Sequence, residues 1–356
     1  VMIEANQFKG HEQLVYLHDK ETGMKAIIAM HDTTLGPAAG GCRMWPYDNE
    51  MDAIADVLRL SRGMSYKNAV AGLDLGGGKS VIIGNPHSDK SEEMFRAFGR
   101  MVESLGGKYI AAEDVGISVE DMETVARETS HVIGLSEGEH ASGDPSPFTA
   151  EGVFNGIRAA VKYKLGKEDM DGMTVAVQGL GHVGYYLCRF LHEAGAKLVV
   201  SDIHQPSIDR AVAEFGATVV APAEILSVDC DVLAPCALGA VLNDDTIPTL
   251  KTAIVAGAAN NQLARDEHGR MLKERGILYA PDYVINAGGI INVSAEARGK
   301  YDVDWVREKV SNIYNTLMTI YRRSDEENRP TNVIADELAE EIIEAGRVRN
   351  RAGKAA

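Results

Sequence analysis

The chain has 356 residues, of which 45% are hydrophobic and 25% charged, and a formal net charge of -16. That length suits two domains, each with its own core. The acidic balance argues against a nucleic-acid partner, which would need lysine and arginine to meet phosphates, and no apolar run is long enough to span a membrane.

Leu14 to His18 and Met24 to His31 read as two strands around the polar turn Asp19 to Gly23. Gly36-Pro37-Ala38-Ala39-Gly40-Gly41 holds too much glycine and proline for a regular element, and a loop lining a site is expected there. Asp48 or Asn49 caps a helix whose apolar positions Met51, Ile54, Ala55 and Leu58 recur at helical spacing and lead toward Lys67.

The next stretch, AGLDLGGGKSVIIGNP from Ala71 to Pro86, sets Lys79 behind three glycines, as a loop would to present an ammonium group at the floor of a cleft. Its end resembles a P-loop, but Leu73 stands where that pattern needs glycine, and the strand-like run Ser80 to Ile83 follows where a helix should open. Two lysines converging on one pocket, Lys67 and Lys79, would make a binding and catalytic device, because each makes the other harder to keep charged. The plain alternative is a glycine turn with a solvated lysine.

Ser91 begins a helix with Met94, Phe95, Phe98, Met101, Val102 and Leu105 on one face, stopped by Gly106-Gly107. The strand Lys108 to Ala112 runs into Glu113-Asp114, and strand ends face the ligand crevice in α/β proteins, so Asp114 is a candidate for meeting substrate, with a turn cap as its alternative. Ser118 and Asp121 form a variant capping box. The polar segment Ser136 to Pro147 marks a boundary or hinge, after which Thr149 caps a helix through Lys164.

Met173 to Gln178 is a β-prone run followed by Gly179-Leu180-Gly181-His182-Val183-Gly184, an amphipathic helix to Glu193, and a second strand, Lys197 to Ser201, ending at Asp202. Strand, glycines, helix, strand and terminal acid make a Rossmann fingerprint, in which Gly179 turns tightly, Gly181 admits the pyrophosphate and Gly184 lets helix and strand pack. Asp202 sits where a carboxylate accepts from ribose hydroxyls and repels a 2′-phosphate, which favours NAD over NADP. Further runs at Ala217 to Val220, Asp231 to Ala234, Thr252 to Ala256 and Ile277 to Ala280 continue the rhythm of a doubly wound sheet. Small or amide-bearing segments follow three of them, around Cys236-Ala237, Gly257 to Asn261 and Asn286 to Gly289, where a flat ring can lie against backbone. A helix with Val310, Ile313, Tyr314, Leu317, Ile320 and Tyr321 on one face, then Pro330 and a helix from Thr331, close the chain. Cys42, Cys188, Cys230 and Cys236 show no paired spacing and the histidines no ligand cluster, so reduced thiols, a cytoplasmic location and no metal are expected. The opening residues, VMIEANQFKGHEQ, lack the basic and apolar segments of a secretion signal.

These pieces resemble the glutamate/leucine/phenylalanine/valine dehydrogenase family, closest to its leucine-acting members, over almost the whole length. The most specific stretches are HDTTLGPAAGGCRMW from His31, LDLGGGKSVIIGNP from Leu73, AAEDVG from Ala111, APCALGA from Ala234 and YAPDYVINAGG from Tyr279. The resemblance implies an α/β chain of two domains with a cleft between them. An N-terminal domain over residues 1–134, with 331–356 packing back on it, would bind substrate and build a homo-oligomer, an octamer or a dimer; a Rossmann domain over residues 135–330 would bind NAD. It implies that Lys67 holds the substrate carboxylate with backbone N–H groups near Gly40 and Gly41, that Lys79 is the catalytic base, and that Asp114 assists proton transfer. Asn261 would also touch substrate. Thr149, Leu180, His182, Val183, Cys236, Ala237, Ala256, Gly257 and Asn286 join the glycines and Asp202 as expected cofactor contacts.

The implied reaction is reversible oxidative deamination of an L-amino acid to a 2-oxo acid, ammonia and NADH. A lysine serves as base there only when uncharged, a form that burial beside a second cation favours. The pocket implied by resemblance, Ala39, Met64, Ala112, Ile290 and Val293, is apolar, which points to branched aliphatic substrates and away from glutamate. Leucine-acting members typically carry leucine at the position of Ala39 and valine at that of Ile290, so one change enlarges the pocket and the other shrinks it. Phenylalanine as substrate, hinted at by Ala39, and a non-catalytic NAD-binding regulator remain the alternatives.

Overall fold

The computed structural model describes residues 8–136, 142–299 and 301–355. Two compact units divide the chain: Val1–Gly143, Val293–Tyr301 and Ala339–Ala356 make the first, and Asp144–Asn292 with Asp302–Leu338 the second. Part of the polar segment read as a boundary, residues 137–141, lies outside the described residues.

The first unit holds strands β1 (Gln13–His18), β2 (Lys25–Asp32), β3 (Ala38–Trp45), β4 (Gly76–Ile83) and β5 (Tyr109–Glu113), and helices α1 (Glu50–Val70), α2 (Glu92–Glu103) and α3 (Val119–Ala126). The sheet order is β1-β2-β4-β3-β5, with β2 antiparallel to both neighbours and β3 parallel to β4 and β5. Alternation along the strands sorts the side chains. Ala26, Ile28 and Met30 join Cys42, Met44 and Ile82 in a core with Phe95 and Phe98 of α2, whereas Ile27, Ala29 and Val81 pack on Ala53, Val57 and Leu58 of α1.

Several local readings change. Helix α1 starts where expected, with Asn49 accepting from the Asp52 N–H, but its buried face runs through Ala53, Val57, Ser61 and Ser65, and Ala55 is exposed. The seam against a glycine-bearing strand takes small side chains, so serines are buried there beside Leu58, and a count of apolar residues alone leaves them out of the face. The glycine segments are mostly strand: Gly36 and Pro37 do form a bend, but Gly40 and Gly41 pair with Ala111 and Ala112 of β5, and Gly76, Gly77, Gly78 and Lys79 belong to β4. A Cβ on Gly40 would stand 1.7 Å from the Gly78 carbonyl oxygen, and one on Gly77 2.1 Å from Ser65 Oγ, so these glycines permit close approach within a strand rather than a turn.

The second unit is built on a six-stranded parallel sheet of β6 (Thr174–Gln178), β7 (Lys197–Ser201), β8 (Thr218–Val219), β9 (Asp229–Pro235), β10 (Lys251–Val255) and β11 (Leu278–Tyr279), in the order β11-β10-β9-β6-β7-β8. That order reverses direction at β6, the doubly wound pattern. Helices α4 (Ser146–Leu165), α5 (His182–Glu193), α6 (Gln205–Phe215), α7 (His268–Glu274) and α8 (Asp282–Ile285) belong to this unit, and α9 (Gly288–Ser294) ends in the first. Thr149 is not a cap: α4 starts three residues earlier, and the Thr149 hydroxyl donates to the Pro145 carbonyl at 3.0 Å. The apolar face from Val310 to Tyr321 is shared by α10 (Val303–Ser311) and α11 (Ile313–Glu326), which meet at Asn312, before α12 (Thr331–Ala355). Among the described residues no helix is long and apolar enough to cross a membrane, and no group of three or more His, Cys, Asp or Glu is placed to hold a metal.

Candidate active site

The α1 side of the first sheet gathers most of the first-unit candidates. Residues two apart on a strand share a face, so Gly41 and Arg43 of β3 lie beside Gly77 and Lys79 of β4 and beside Ala112 and Asp114 at the end of β5. Lys79 is 6% exposed, and its Nζ lies 2.8 Å from Asp114 Oδ2. A Cβ on Gly41 would stand 2.7 Å from Asp114 Cβ and 3.1 Å from Lys79 Nζ, so only a glycine gives this pair its floor. Gly40 points the other way, its carbonyl accepting from the buried Tyr109 hydroxyl at 2.8 Å. Lys79 thus has a carboxylate as its direct charge partner.

A second cation does reach Asp114, but it is one that sequence reasoning passed over. Arg43 Nε donates to Asp114 Oδ2 at 3.0 Å, and Arg43 Nη1 donates to Asp56 Oδ2 of α1 at 2.9 Å. Asp56 is fixed in turn by the Tyr47 hydroxyl at 2.8 Å and by Arg59 at 2.8 Å. The available signal was parity: once β3 is a strand, Arg43 must lie on the same face as Gly41. Burial pushes the Asp114 carboxyl up, but the Lys79 and Arg43 charges outweigh it and hold the group below its ordinary value. Beside them, burial pushes the Cys42 thiol up to about 12, so it stays protonated.

Lys67 is half-buried on the last turn of α1, two residues beyond Ser65, which packs on Gly77. Met64 is half-buried on the same helix, and Ala39 and Ala112 are buried. On α9, Ile290 is half-buried and Val293 buried.

In the second unit the glycine turn behaves as a dinucleotide site requires. Gly179 has φ +98, open to glycine at little cost, and a Cβ on Gly184 would stand 2.0 Å from the Gly179 carbonyl oxygen. At Gly181 a Cβ would meet nothing within 4 Å, which leaves room at the start of α5. The first bond of that helix runs from Tyr185 N–H to the Gly181 carbonyl at 2.9 Å, so the N–H groups of His182, Val183 and Gly184 have no acceptor within it. Asp202 is fixed at the end of β7, accepting from the Leu180 N–H at 2.5 Å and the His204 N–H at 2.8 Å.

The neighbouring strand ends add amide groups. Cys236 is half-buried and Ala237 exposed after β9, and Ala256 and Gly257 are buried after β10. Asn261 takes φ +51 and is exposed. Asn286 Nδ2 donates to the Ala258 carbonyl at 3.0 Å and to Asn260 Oδ1 at 2.7 Å, while its own buried Oδ1 has no partner among the described residues. Thr149 Oγ1 lies close enough to Gly289 that a Cβ there would be 2.7 Å from it. Gln262, also missed, braces this segment by donating to the carbonyls of Gly257 and Ala259 at 2.8 and 3.0 Å. Free N–H groups, open space at Gly181 and an unpartnered buried amide oxygen fit a dinucleotide.

The comparisons with known proteins agree over both units. The model of the Glu/Leu/Phe/Val dehydrogenase dimerisation domain matches residues 11–131, and that of Glutamate/Leucine/Phenylalanine/Valine dehydrogenase matches residues 142–206 and 202–335. Leucine dehydrogenase from Bacillus subtilis is 57% identical across 94% of this chain and 92% of its own length. L-tryptophan dehydrogenase from Nostoc punctiforme is 52% identical across 96% of each chain. The crystal structure of that Nostoc punctiforme enzyme aligns with a TM-score of 0.86 at 49% identity, covering 95% of this chain and 97% of its own. The chain therefore belongs to the glutamate/leucine/phenylalanine/valine dehydrogenase family.

Proposed function

We propose that the protein is an NAD-dependent dehydrogenase that reversibly converts leucine, valine or isoleucine to the 2-oxo acid, with ammonia and NADH. The observation that carries this reading is the buried Lys79 paired with the half-buried Asp114 on a glycine-lined sheet face. A non-catalytic NAD-binding protein has no use for a lysine side chain buried there at the cost of its desolvation.

Lys67 holds the substrate carboxylate. Asp114 takes a proton from the substrate ammonium, leaving an amine. Bound NAD supplies the acceptor for the hydride that leaves the α-carbon. Water then adds to the resulting iminium while Lys79 takes its proton, and Asp114 returns the first proton to nitrogen. As the C–N bond breaks, the electron pair leaves with nitrogen, the hydroxyl proton passes to the departing ammonia, and Lys79 releases its proton to solvent.

The apolar side chains of Ala39, Met64, Ala112 and Val293 surround the aliphatic group of the substrate and offer a carboxylate such as that of glutamate no partner. The amide groups of Asn261 and Asn286, the residues from Gly179 to Gly184, and Asp202 serve the substrate and dinucleotide ends of the reaction. The first unit, matched by a model described as a dimerisation domain, builds a homo-oligomer. The four cysteines are free thiols, in keeping with action in the reducing cytoplasm. The test is NADH formation when leucine and NAD are mixed with the protein, and its reversal by the 2-oxo acid and ammonia; no absorbance change with either mixture would refute the reading.

A further inference from the structure

Two cations converge on one oxygen of Asp114. Lys79 Nζ at 2.8 Å and Arg43 Nε at 3.0 Å both reach Oδ2, and Oδ1 accepts no hydrogen bond from the described residues. The far end of Arg43 is clamped by Asp56 at 2.9 Å, which Tyr47 and Arg59 hold in place. Charges therefore alternate from β4 to α1: Lys79, Asp114, Arg43, Asp56. Cys42 of β3 and Tyr109 of β5, on the opposite face of the sheet, keep their protons through burial.

We propose that Arg43 is a positioning residue for proton transfer, holding Asp114 Oδ2 toward Lys79 so that Oδ1 is the oxygen that exchanges a proton with the substrate nitrogen. The proposal rests on the dehydrogenase reading above and deepens it. Lys79 must be uncharged to take a proton from water later in the cycle, so it offers Asp114 no charge at the earlier step in which Asp114 takes a proton from the substrate ammonium. Arg43 cannot lose its proton and keeps the carboxylate anionic with Lys79 in either state. Its Nε–H also fixes the carboxylate plane, which a single flexible ammonium does not.

Arg43→Gln, Arg43→Lys and Asp56→Asn test this through the pH profile of turnover with leucine, the KM for leucine and a crystal structure of Arg43→Gln. Without Arg43, burial raises the Asp114 carboxyl, so the acid limb of kcat moves to higher pH and kcat at neutral pH falls about 10-fold or more, while KM stays within about twofold. Arg43→Lys restores part of kcat, Asp56→Asn moves the limb in the same direction by less, and Asp114 is turned or split between orientations in the Arg43→Gln crystal. An unmoved acid limb, or a raised KM with normal kcat, would overturn the proposal. If Arg43→Gln does not fold, the limb measured for Asp56→Asn decides. Absence of leucine turnover in the unmodified protein would sink the dehydrogenase reading instead, and the orientation of Asp114 in the Arg43→Gln crystal would still decide the role of Arg43: Oδ2 unmoved against Lys79 overturns it.

Discussion

Lys79 and Asp114 stand on β4 and just beyond β5, strands separated in the sheet by β3, yet their charged atoms meet at 2.8 Å. The contact crosses β3 at Gly41, where any side chain would fill the space. Lys79→Ala should therefore leave the fold and NADH binding intact and lower kcat by at least about 100-fold, the scale of a lost general base. NADH fluorescence titration and steady-state rates measure both; near-normal turnover would exclude Lys79 as the base.

Two glycines only three residues apart should respond in opposite ways to alanine. At Gly181 the new methyl meets nothing in the protein, so Gly181→Ala keeps its melting temperature and weakens NADH binding. At Gly184 it would sit 2.0 Å from the Gly179 carbonyl oxygen, so Gly184→Ala loses about 1–3 kcal/mol of stability, the usual scale of overpacking. Equal effects of both on melting would contradict the assigned phosphate position.

Asp202 is held by two backbone N–H groups, which fix its carboxylate without using all its acceptor capacity. Asp202→Ser should raise the KM for NAD about 10-fold or more, the scale of lost hydrogen bonds to a charged group, and raise activity with NADP relative to NAD. A ratio of kcat/KM values for the two cofactors equal to that of the unmodified protein would refute its role.

His31 is buried between Ser65 Oγ at 2.8 Å and the Lys9 carbonyl at 3.2 Å, and burial, then the neighbouring His11, lowers its pKa from 6.5 to about 4. The unfolded chain binds the extra proton first, so stability falls as pH drops from about 6.5 to about 4 and is flat for this group above that window. The loss should reach about 1–3 kcal/mol, given 1.36 kcal/mol per pKa unit. Urea midpoints of the unmodified protein should decline across that range and those of His31→Gln should decline less. Parallel curves would show that His31 is not the group responsible.

The second unit was legible because its signal is local: strand, glycine turn, helix and acid lie in one continuous stretch from Met173 to Asp202, and each residue type has a geometric reason to be there. In the first unit the same reasoning singled out Lys79 and Asp114 but misread the setting. Glycine-rich sequence normally means a turn, and in β3 and β4 it means two strands and a helix packed too closely for side chains. Reading those strands as loops hid the alternation of faces, and with it Arg43. Part of the α1 face was missed for the same reason, since Ser61 and Ser65 are buried by contact with glycine rather than by their own polarity.

The most direct test of the central claim is the ratio of kcat/KM across a panel of leucine, valine, isoleucine, phenylalanine, tryptophan and glutamate with NAD. The account predicts that the three branched aliphatic substrates lead, each giving one NADH per 2-oxo acid and ammonia released. A higher value for an aromatic substrate or for glutamate would contradict it.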